Sequence, residues 1–554
     1  MTPEQLSATV LDALTSLVES GEVRLPALPD EVRVERPKSK EHGDYATNVA
    51  LQVGKKAGMR PTELAALLAE RLRQADGIAG VEVAGPGFIN VRVEASAQGE
   101  LARQVVTAGR EYGVSDALAG QSVNLEFISA NPTGPLHLGH TRWAAVGDAI
   151  GRVLEAAGAR VVREFYINDR GSQMEKFGES LLAAANGRPT PDDGYHGAYI
   201  ADRAKAIVAD DPAITELPEE EQRAAFAEEG YGRQLKEQRE QLDAFRTHFD
   251  VWYSERELHD QGKVEHGLDR LKSQGHLFEE GGALWMRTTD FGDDKDRVLV
   301  RSDGTLTYFA SDTAYYVDKR ERGFDRCIYL LGADHHGYVG RLKAMAACAG
   351  DDPTKNIEVL IGQLVKILRD GEEVRLSKRA GSIVTLQEIV DLVGVDALRY
   401  TLCRYPTDSP LTLDVEVVTR QTADNPVFYV QYAHARLASI MRNARDLGLE
   451  PAASDAFDPA LLEHEREGHL LRALGEFPRV VAQAAELREP HRVARYLEST
   501  AATFHRFYDE CRVLPRGDEE STPLHAARLL LVDATRVVLS NGLGLLGVDA
   551  PERM

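Results

Sequence analysis

Val123-Asn124-Leu125-Glu126-Phe127-Ile128 alternates apolar and polar side chains, the period of a β-strand with one face turned to a core. Asn131-Pro132-Thr133-Gly134-Pro135 follows, a run rich in turn-forming residues. From about His140 to Ala157 the apolar residues recur at helical spacing and stop near Gly158. A second β pattern then runs from Arg160 to Ile167. Strand, tight loop, helix, strand is one half of a doubly wound nucleotide-binding sheet. The start of its helix presents unpaired N–H groups and a partial positive charge, a natural seat for phosphate.

Working outward, residues 1 to about 115 read as a small α/β module. Thr2 and Gln5 fit a capping box with Pro3 at the first helical position, a second helix spans about Pro61 to Arg73, and short strands fit Val81–Val83 and Phe88–Val93 around Gly85-Pro86-Gly87. From about 175 to 275 the pattern is helical and charged, as an insertion would be. Strand-like pieces return at Leu284–Arg287, Val298–Val300, Cys327–Leu331 and Val359–Ile367. From roughly 385 onward the periodicity is helical almost throughout. The expected fold is a multidomain α/β protein: a small α/β N-terminal domain (1–115), a Rossmann-like parallel-sheet catalytic domain with helical insertion (116–385), a connecting helical segment (386–424) and an all-α C-terminal bundle (425–554).

With 554 residues, 43% hydrophobic and 28% charged, the chain has a globular composition and room for several cores. No apolar run approaches the ~20 residues of a membrane span, and no signal peptide opens the chain, so a cytoplasmic protein is expected. Cys327, Cys348, Cys403 and Cys511 form no CxxC pair, which argues against a cysteine zinc site or a disulfide framework. The formal charge of −23 does not exclude a polyanion partner, because such binding needs only a local basic surface. From Asn425 onward 15 arginines face 19 acidic residues, close to balance.

Two motifs carry chemistry. In Pro135-Leu136-His137-Leu138-Gly139-His140, two imidazoles three residues apart at a helix start can donate to phosphate oxygens as charge develops, and Gly139 lets adenosine approach the backbone. Arg375-Leu376-Ser377-Lys378-Arg379-Ala380-Gly381 follows a predicted strand and the Asp370-Gly371 turn, and suits a clamp on pyrophosphate with Lys378 as the main charge. Asp334-His335-His336 is not read as a metal site, since adjacent strand residues point apart. Gly542-Leu543-Gly544-Leu545-Leu546-Gly547 fits GxGxxG, yet no βαβ unit can follow it, so it reads as a helix end. Taken alone, Tyr308 reads as a core residue on a strand, Asp312 as the cap of the next helix, and the Tyr429, Tyr432, Arg436 stripe as bundle packing.

The paired motifs resemble the two signatures of class I aminoacyl-tRNA synthetases. Longer strings narrow the resemblance to the arginyl family: Asn131 to His140, Asn168-Asp169 with Gln173, Gly332-Ala333-Asp334-His335-His336-Gly337-Tyr338, Gln431-Tyr432-Ala433-His434-Ala435-Arg436, and His42-Gly43-Asp44-Tyr45-Ala46-Thr47-Asn48. The resemblance implies an arginine–tRNA ligase that uses ATP as its Mg2+ complex, with no structural zinc and no other metal. His137 and His140 would then stabilise the pentavalent phosphate, and Ser377 and Lys378 would hold the triphosphate. Pro135, Gly139, Gly332, Asp334 and Arg379 would bind ATP, with Asp334 on the ribose. Asn131, Tyr308, Asp312 and Glu255 would line the arginine pocket. Tyr429, Tyr432, Arg436 and Asn48 would contact tRNA. The implied partners are tRNA and L-arginine, with no membrane and a monomeric chain.

The pocket has its own logic. Guanidinium is planar, permanently charged and forked, which matches two carboxylates and a hydroxyl in a dry site. The second motif departs from the class pattern, opening Arg375-Leu376 where the class has Lys-Met. Two other readings fit parts of the pattern: a different HxGH enzyme, and a catalytically silent RNA-binding relative.

Overall fold

The computed structural model describes residues 1–37, 42–373, 384–452 and 457–554. The opening helix, Pro3–Glu19, starts at Thr2 with the capping box to Gln5 and buries Leu6, Val10, Leu14 and Leu17 along one stripe. It packs with helix Pro61–Leu72 on a four-stranded antiparallel sheet. The strands are β1 (Val34–Glu35), β2 (Tyr45–Thr47), β3 (Ile78–Ala84) and β4 (Phe88–Val93), in the order β1-β2-β4-β3. This module has its own apolar core.

The central sheet is parallel throughout. It contains β5 (Ser122–Glu126), β6 (Arg160–Ile167) and β7 (Val251–Ser254). A small antiparallel sheet of β8 (Leu277–Glu280), β9 (Ala283–Met286) and β10 (Arg297–Val300) precedes its last two strands, β11 (Arg326–Gly332) and β12 (Ile357–Gly362). The order is β12-β11-β5-β6-β7, so the direction of winding reverses between β5 and β11. Ligands bind beyond the carboxyl ends of the strands at such a switch point. Helix Leu138–Ala156 follows β5 and is almost wholly buried against the sheet.

Three helices, Ser172–Ala185, Ala198–Asp210 and Glu219–Ala244, form the insertion around Phe177, Leu181, Ile200, Ile207 and Phe226. The acidic run Glu219-Glu220-Glu221 is the first turn of the longest helix, where negative charge complements the helix dipole. The insertion is not helical to residue 275: β7 returns within that range as the edge strand of the parallel sheet. Its four residues are all half-buried, so no alternation marks it in the sequence. The 359–367 stretch is likewise two strands, β12 and β13 (Val365–Arg369). The latter lies between β14 (Glu372–Glu373) and β15 (Leu411–Asp414), a strand inside an otherwise helical region.

The C-terminal helices are Pro426–Asp446, Glu465–Gly475, Phe477–Leu487, His491–Glu510 and Pro523–Leu545. Their core runs without a break into that of the parallel sheet, from Val123 and Leu125 through Val430 to Leu543. The GxGxxG stretch ends the last helix, as expected. All four cysteines are buried thiols. Among the described residues no helix is long and apolar enough to cross a membrane.

Candidate active site

The carboxyl ends of β5, β6, β7 and β11 lead into Asn131, Asn168-Asp169, Glu255 and Asp334 respectively, so four strings far apart in sequence converge on one edge of the sheet. Just past β5, Ile128 and Ser129 adopt φ of 67° and 42°, a conformation that a β-branched residue rarely takes. Such strain gathers at functional sites, where the surrounding structure enforces it.

His137 is the N-cap of helix Leu138–Ala156 and His140 its third residue. The Gly139 amide donates to Nδ1 of His137 at 3.1 Å, and the His137 amide donates to Nδ1 of His140 at 3.2 Å. Nδ1 of each ring thus acts as an acceptor, so the neutral ring carries its proton on Nε2. The rings stack with centroids 3.9 Å apart. Burial, and secondly His137, push the His140 imidazole down to about 3, so it is a neutral donor at physiological pH. Gly139 has a second reason to be glycine: a Cβ there would lie 2.9 Å from Cε1 of His137.

The carboxylates form the other half of the site. Glu255 opens helix Glu255–Asp260 and is buried. Burial first, then Asp312 and Asp169, push its carboxyl up to about 7. Asp312 lies within helix Tyr308–Glu321, accepts a hydrogen bond from the Tyr338 hydroxyl, and is pushed up to about 6 by burial, with Glu126 adding to it. Among the described residues neither has a lysine or arginine partner within 4.0 Å; the nearest basic group to Glu255 is His259, at 3.9 Å. Two acids raised chiefly by burial, with Asp312 adding to the shift of Glu255 and no lysine or arginine paired to either among the described residues, mark a place where a cation would be welcome.

The structure corrects the readings of Tyr308 and Asp312 taken alone. Tyr308 is not on a strand but is the first residue of a helix, 71% exposed, and Thr307, not Asp312, caps that helix. Tyr308 and Asp312 stand one turn apart on one face. The Asp334-His335-His336 string is also not a strand end but part of a 3-10 turn, Ala333–Tyr338. There Asp334 reaches into solvent, and a Cβ at Gly332 would meet its Oδ1 at 2.6 Å. Pro135 is half-buried beside His137, and Asn131 is exposed.

Several site residues escaped the sequence reading. Gln238, fully buried on the longest insertion helix, donates through Nε2 to the Asn131 carbonyl at 3.1 Å and to the Gly134 carbonyl at 2.9 Å. Tyr166, at the end of β6, is surrounded by Glu255, Asp312, Glu126 and Asp169, which with burial raise its phenol far above the usual range. Glu126 pairs with the buried Lys319. Asp169 accepts from Ser254 Oγ, Tyr231 Oη and the Arg256 amide, which fixes the turn into Glu255. Asp169 belongs to the Asn168-Asp169 string already singled out, whereas the others are ordinary polar residues in sequence that no short-range signal marks.

Ser377, Lys378 and Arg379 lie outside the described residues, yet the chain that follows them does not. The Leu138 amide donates to the Val384 carbonyl, and the Leu386 amide to the Leu136 carbonyl, which brings that segment against the first motif. Tyr429, Tyr432 and Arg436 share helix Pro426–Asp446 in the C-terminal bundle, remote in sequence from the sheet edge. They are not simple core packing. Tyr432 is 42% exposed, stacks near Phe428 and His505, and Arg436 lies 4.4 Å over the Tyr508 ring. Phe428, His505 and Tyr508 thus extend the aromatic surface the sequence suggested. Asn48, in the N-terminal domain, adjoins a cavity of about 550 Å³ with Arg33, Arg36 and Phe88.

Comparison with known proteins assigns most of this architecture. Residues 4–93 match the arginyl tRNA synthetase N terminal domain, residues 102–206 and 215–401 the class I (R) tRNA synthetase catalytic domain, and residues 430–554 the DALR anticodon binding domain. The chain belongs to the arginyl-tRNA synthetase family. Two curated arginine–tRNA ligases, from Kineococcus radiotolerans and Frankia alni, are 57% and 58% identical to it, each over the full length of both chains. The arginyl-tRNA synthetase of Thermus thermophilus shares the fold over the full length of both chains, with a TM-score of 0.75 at 24% identity. In an arginyl-tRNA synthetase the sheet edge just described lies in the catalytic domain, and the aromatic helix opens into the anticodon-binding domain.

Proposed function

We propose that the paired carboxylates Glu255 and Asp312 hold the guanidinium of arginine, and that this pair is what makes the chain an arginine–tRNA ligase. The observation that carries the reading is two sequestered carboxyls with no lysine or arginine paired to them among the described residues, whose burial pushes their pKa up to about 7 and about 6. A guanidinium restores both to the ionised form and fills the fork with matched donors. Tyr308 adds a hydroxyl one turn from Asp312, and Asn131, on a loop fixed by Gln238, holds the far end of the amino acid.

ATP, brought as its magnesium complex, lies along the start of helix Leu138–Ala156. Gly139 and Pro135 pass under the adenosine, Gly332 and Asp334 take the ribose, and Nε2–H of His137 and His140 face the α- and β-phosphates. An arginine carboxylate oxygen attacks the α-phosphorus, the α–β bridging bond breaks, and pyrophosphate leaves from arginyl-adenylate. Ser377, Lys378 and Arg379 hold the departing phosphates. The terminal 2′-hydroxyl of tRNA then attacks the carbonyl carbon, the hydroxyl proton is lost, and AMP leaves. The protein contributes positioning and charge stabilisation and no nucleophile. Tyr429, Tyr432 and Arg436 meet the anticodon bases, and Asn48 meets another part of the tRNA. The enzyme is read as monomeric and cytoplasmic; among the described residues no helix is long and apolar enough to cross a membrane.

Citrulline, the neutral isostere of arginine, tests the pocket. The intact protein should prefer arginine by about 10⁴-fold or more in kcat/KM, because citrulline leaves a buried carboxylate unpaired. Asp312→Asn should narrow that ratio by at least tenfold. An unchanged ratio would move the guanidinium site elsewhere.

A further inference from the structure

Arg399 is a fully buried arginine outside the substrate site, and every arm of its guanidinium is engaged. Nε donates to the Leu546 carbonyl at 3.1 Å, and Nη2 to Asp148 Oδ2 at 2.5 Å. Nη1 meets the Phe245 and Arg246 carbonyls at 2.9 and 3.2 Å and Thr247 Oγ1 at 3.2 Å. These partners belong to three bodies. Leu546 directly follows the last helix of the anticodon-binding bundle, Asp148 lies on the helix capped by His137, and Phe245 to Thr247 directly follow the longest insertion helix, with Phe245 its C-cap.

The same junction is braced twice more. Thr247 Oγ1 donates to the Ala144 carbonyl on the His137 helix at 2.7 Å. Arg246 donates to Asp396, the Gly547 carbonyl and Asp549, and Gln431 also donates to Asp396 and to the Asp549 carbonyl. Gln431 is the neighbour of Tyr432. Gly547 is packed so closely that a Cβ there would lie 2.2 Å from Nη2 of Arg399, which explains the last glycine of the GxGxxG stretch.

The insertion helix then carries the junction to the substrates. Gln238, seven residues before Phe245 and so roughly 10 Å along the axis, holds the Asn131 and Gly134 carbonyls. We propose that Arg399 is a positioning residue for the arginine site. It fixes the end of the insertion helix on the His137 helix, and thereby fixes where Gln238 holds the Asn131–Gly134 loop. Because Arg399 also takes the Leu546 carbonyl, the seating of the anticodon-binding bundle reaches that loop through one guanidinium. The assignment rests on the arginine-site reading given above.

A double-mutant cycle on the full-length protein tests it, with tRNA charging at varied arginine and thermal melting to confirm folding. Arg399→Lys keeps the charge and loses the fork; Gln238→Met keeps the length and loses the donor. Each should lower kcat/KM for arginine about tenfold, and the double variant by about as much as either alone, because both break one path. A loss near 100-fold in the double variant would show two independent effects and overturn the proposal, since separate sites at this distance add. Should Arg399→Lys fail to fold, Asp148→Asn, which preserves volume and weakens the same contact, takes its place with the same two outcomes. His140→Ala serves as the reference. If it is impaired while Arg399→Lys and Gln238→Met are unaffected, the relay is wrong and the site reading stands. If His140→Ala is also unaffected, the site reading fails and the relay with it.

Discussion

The Leu138 amide donates to the Val384 carbonyl at 3.2 Å, and two residues on, the Leu386 amide returns to the Leu136 carbonyl at 2.9 Å. This short antiparallel bridge pairs His137 with Thr385 across 248 positions of sequence. It places the chain that follows the second signature directly on the first. One consequence is that the start of helix Leu386–Val393 is tied to the first signature through backbone hydrogen bonds.

Thr385 caps helix Leu386–Val393 in a reciprocal box with Glu388. Thr385→Ala should remove about 1 kcal/mol of local stability, typical for a lost cap. The melting temperature should fall by only a few degrees, while the rate of pyrophosphate release falls several-fold because the bridge to His137 loosens. A rate that tracks global stability alone would separate the bridge from the chemistry.

His140→Ala should lower kcat by about 10²–10³-fold, the usual effect of losing one preorganised donor to a developing oxyanion. The KM for arginine should change less than about threefold, because the ring faces phosphate and not the amino acid. Since the neutral ring is the working form, no loss of activity from His140 protonation should appear between pH 5 and 8. A kcat within a factor of three of the parent would remove His140 from the site.

The carboxylate pair predicts a pH dependence. In the empty protein Glu255 and Asp312 bind protons up to about pH 7 and 6, whereas arginine requires both ionised. The KM for arginine should therefore rise as pH falls from 8 to 5.5, and binding at pH 6 should release protons, measurable by calorimetry in buffers of different ionisation heat. The sign for stability is the reverse. Folded pKa values lie above those of the unfolded chain, so the stabilisation from these two groups is present below about pH 4 and lost as pH rises through about 6 to 7. Arginine should accordingly raise the melting temperature more at pH 8 than at pH 5.5. An equal shift at both would contradict the assignment.

Tyr432→Ala should raise the KM for tRNA by about 5- to 100-fold, the range for one lost base stack, with kcat little changed. The exposed ring beside Phe428 and His505 is available for such stacking. An unchanged KM would assign the aromatic surface to the fold.

Much of this architecture could be read locally. The strand, turn and helix around Asn131 to Ala157 follow from side-chain periodicity and turn chemistry, and the Thr2–Gln5 box from four adjacent residues. Glycine at 139 was also legible, although its contact with the His137 ring was not. What resisted reading depends on distant partners. Strand β7 is four residues with no alternation, recognisable only from its pairing with β6. Tyr308 looked like a strand residue because Thr305 to Phe309 is rich in β-formers, but Thr307 caps a helix there. Glu255 owes part of its raised pKa to Asp312, 57 positions away, and Arg399 meets Asp148 across 251. Gln238 looks like any glutamine on a charged helix until its two carbonyl partners are seen.

The most direct measurement is the charging of total tRNA with each amino acid in turn, with ATP and the full-length protein. The carboxylate pocket predicts that arginine alone is esterified. Charging with a different amino acid, or binding of tRNA with no charging at all, would contradict the central claim that Glu255 and Asp312 form a guanidinium site serving aminoacylation.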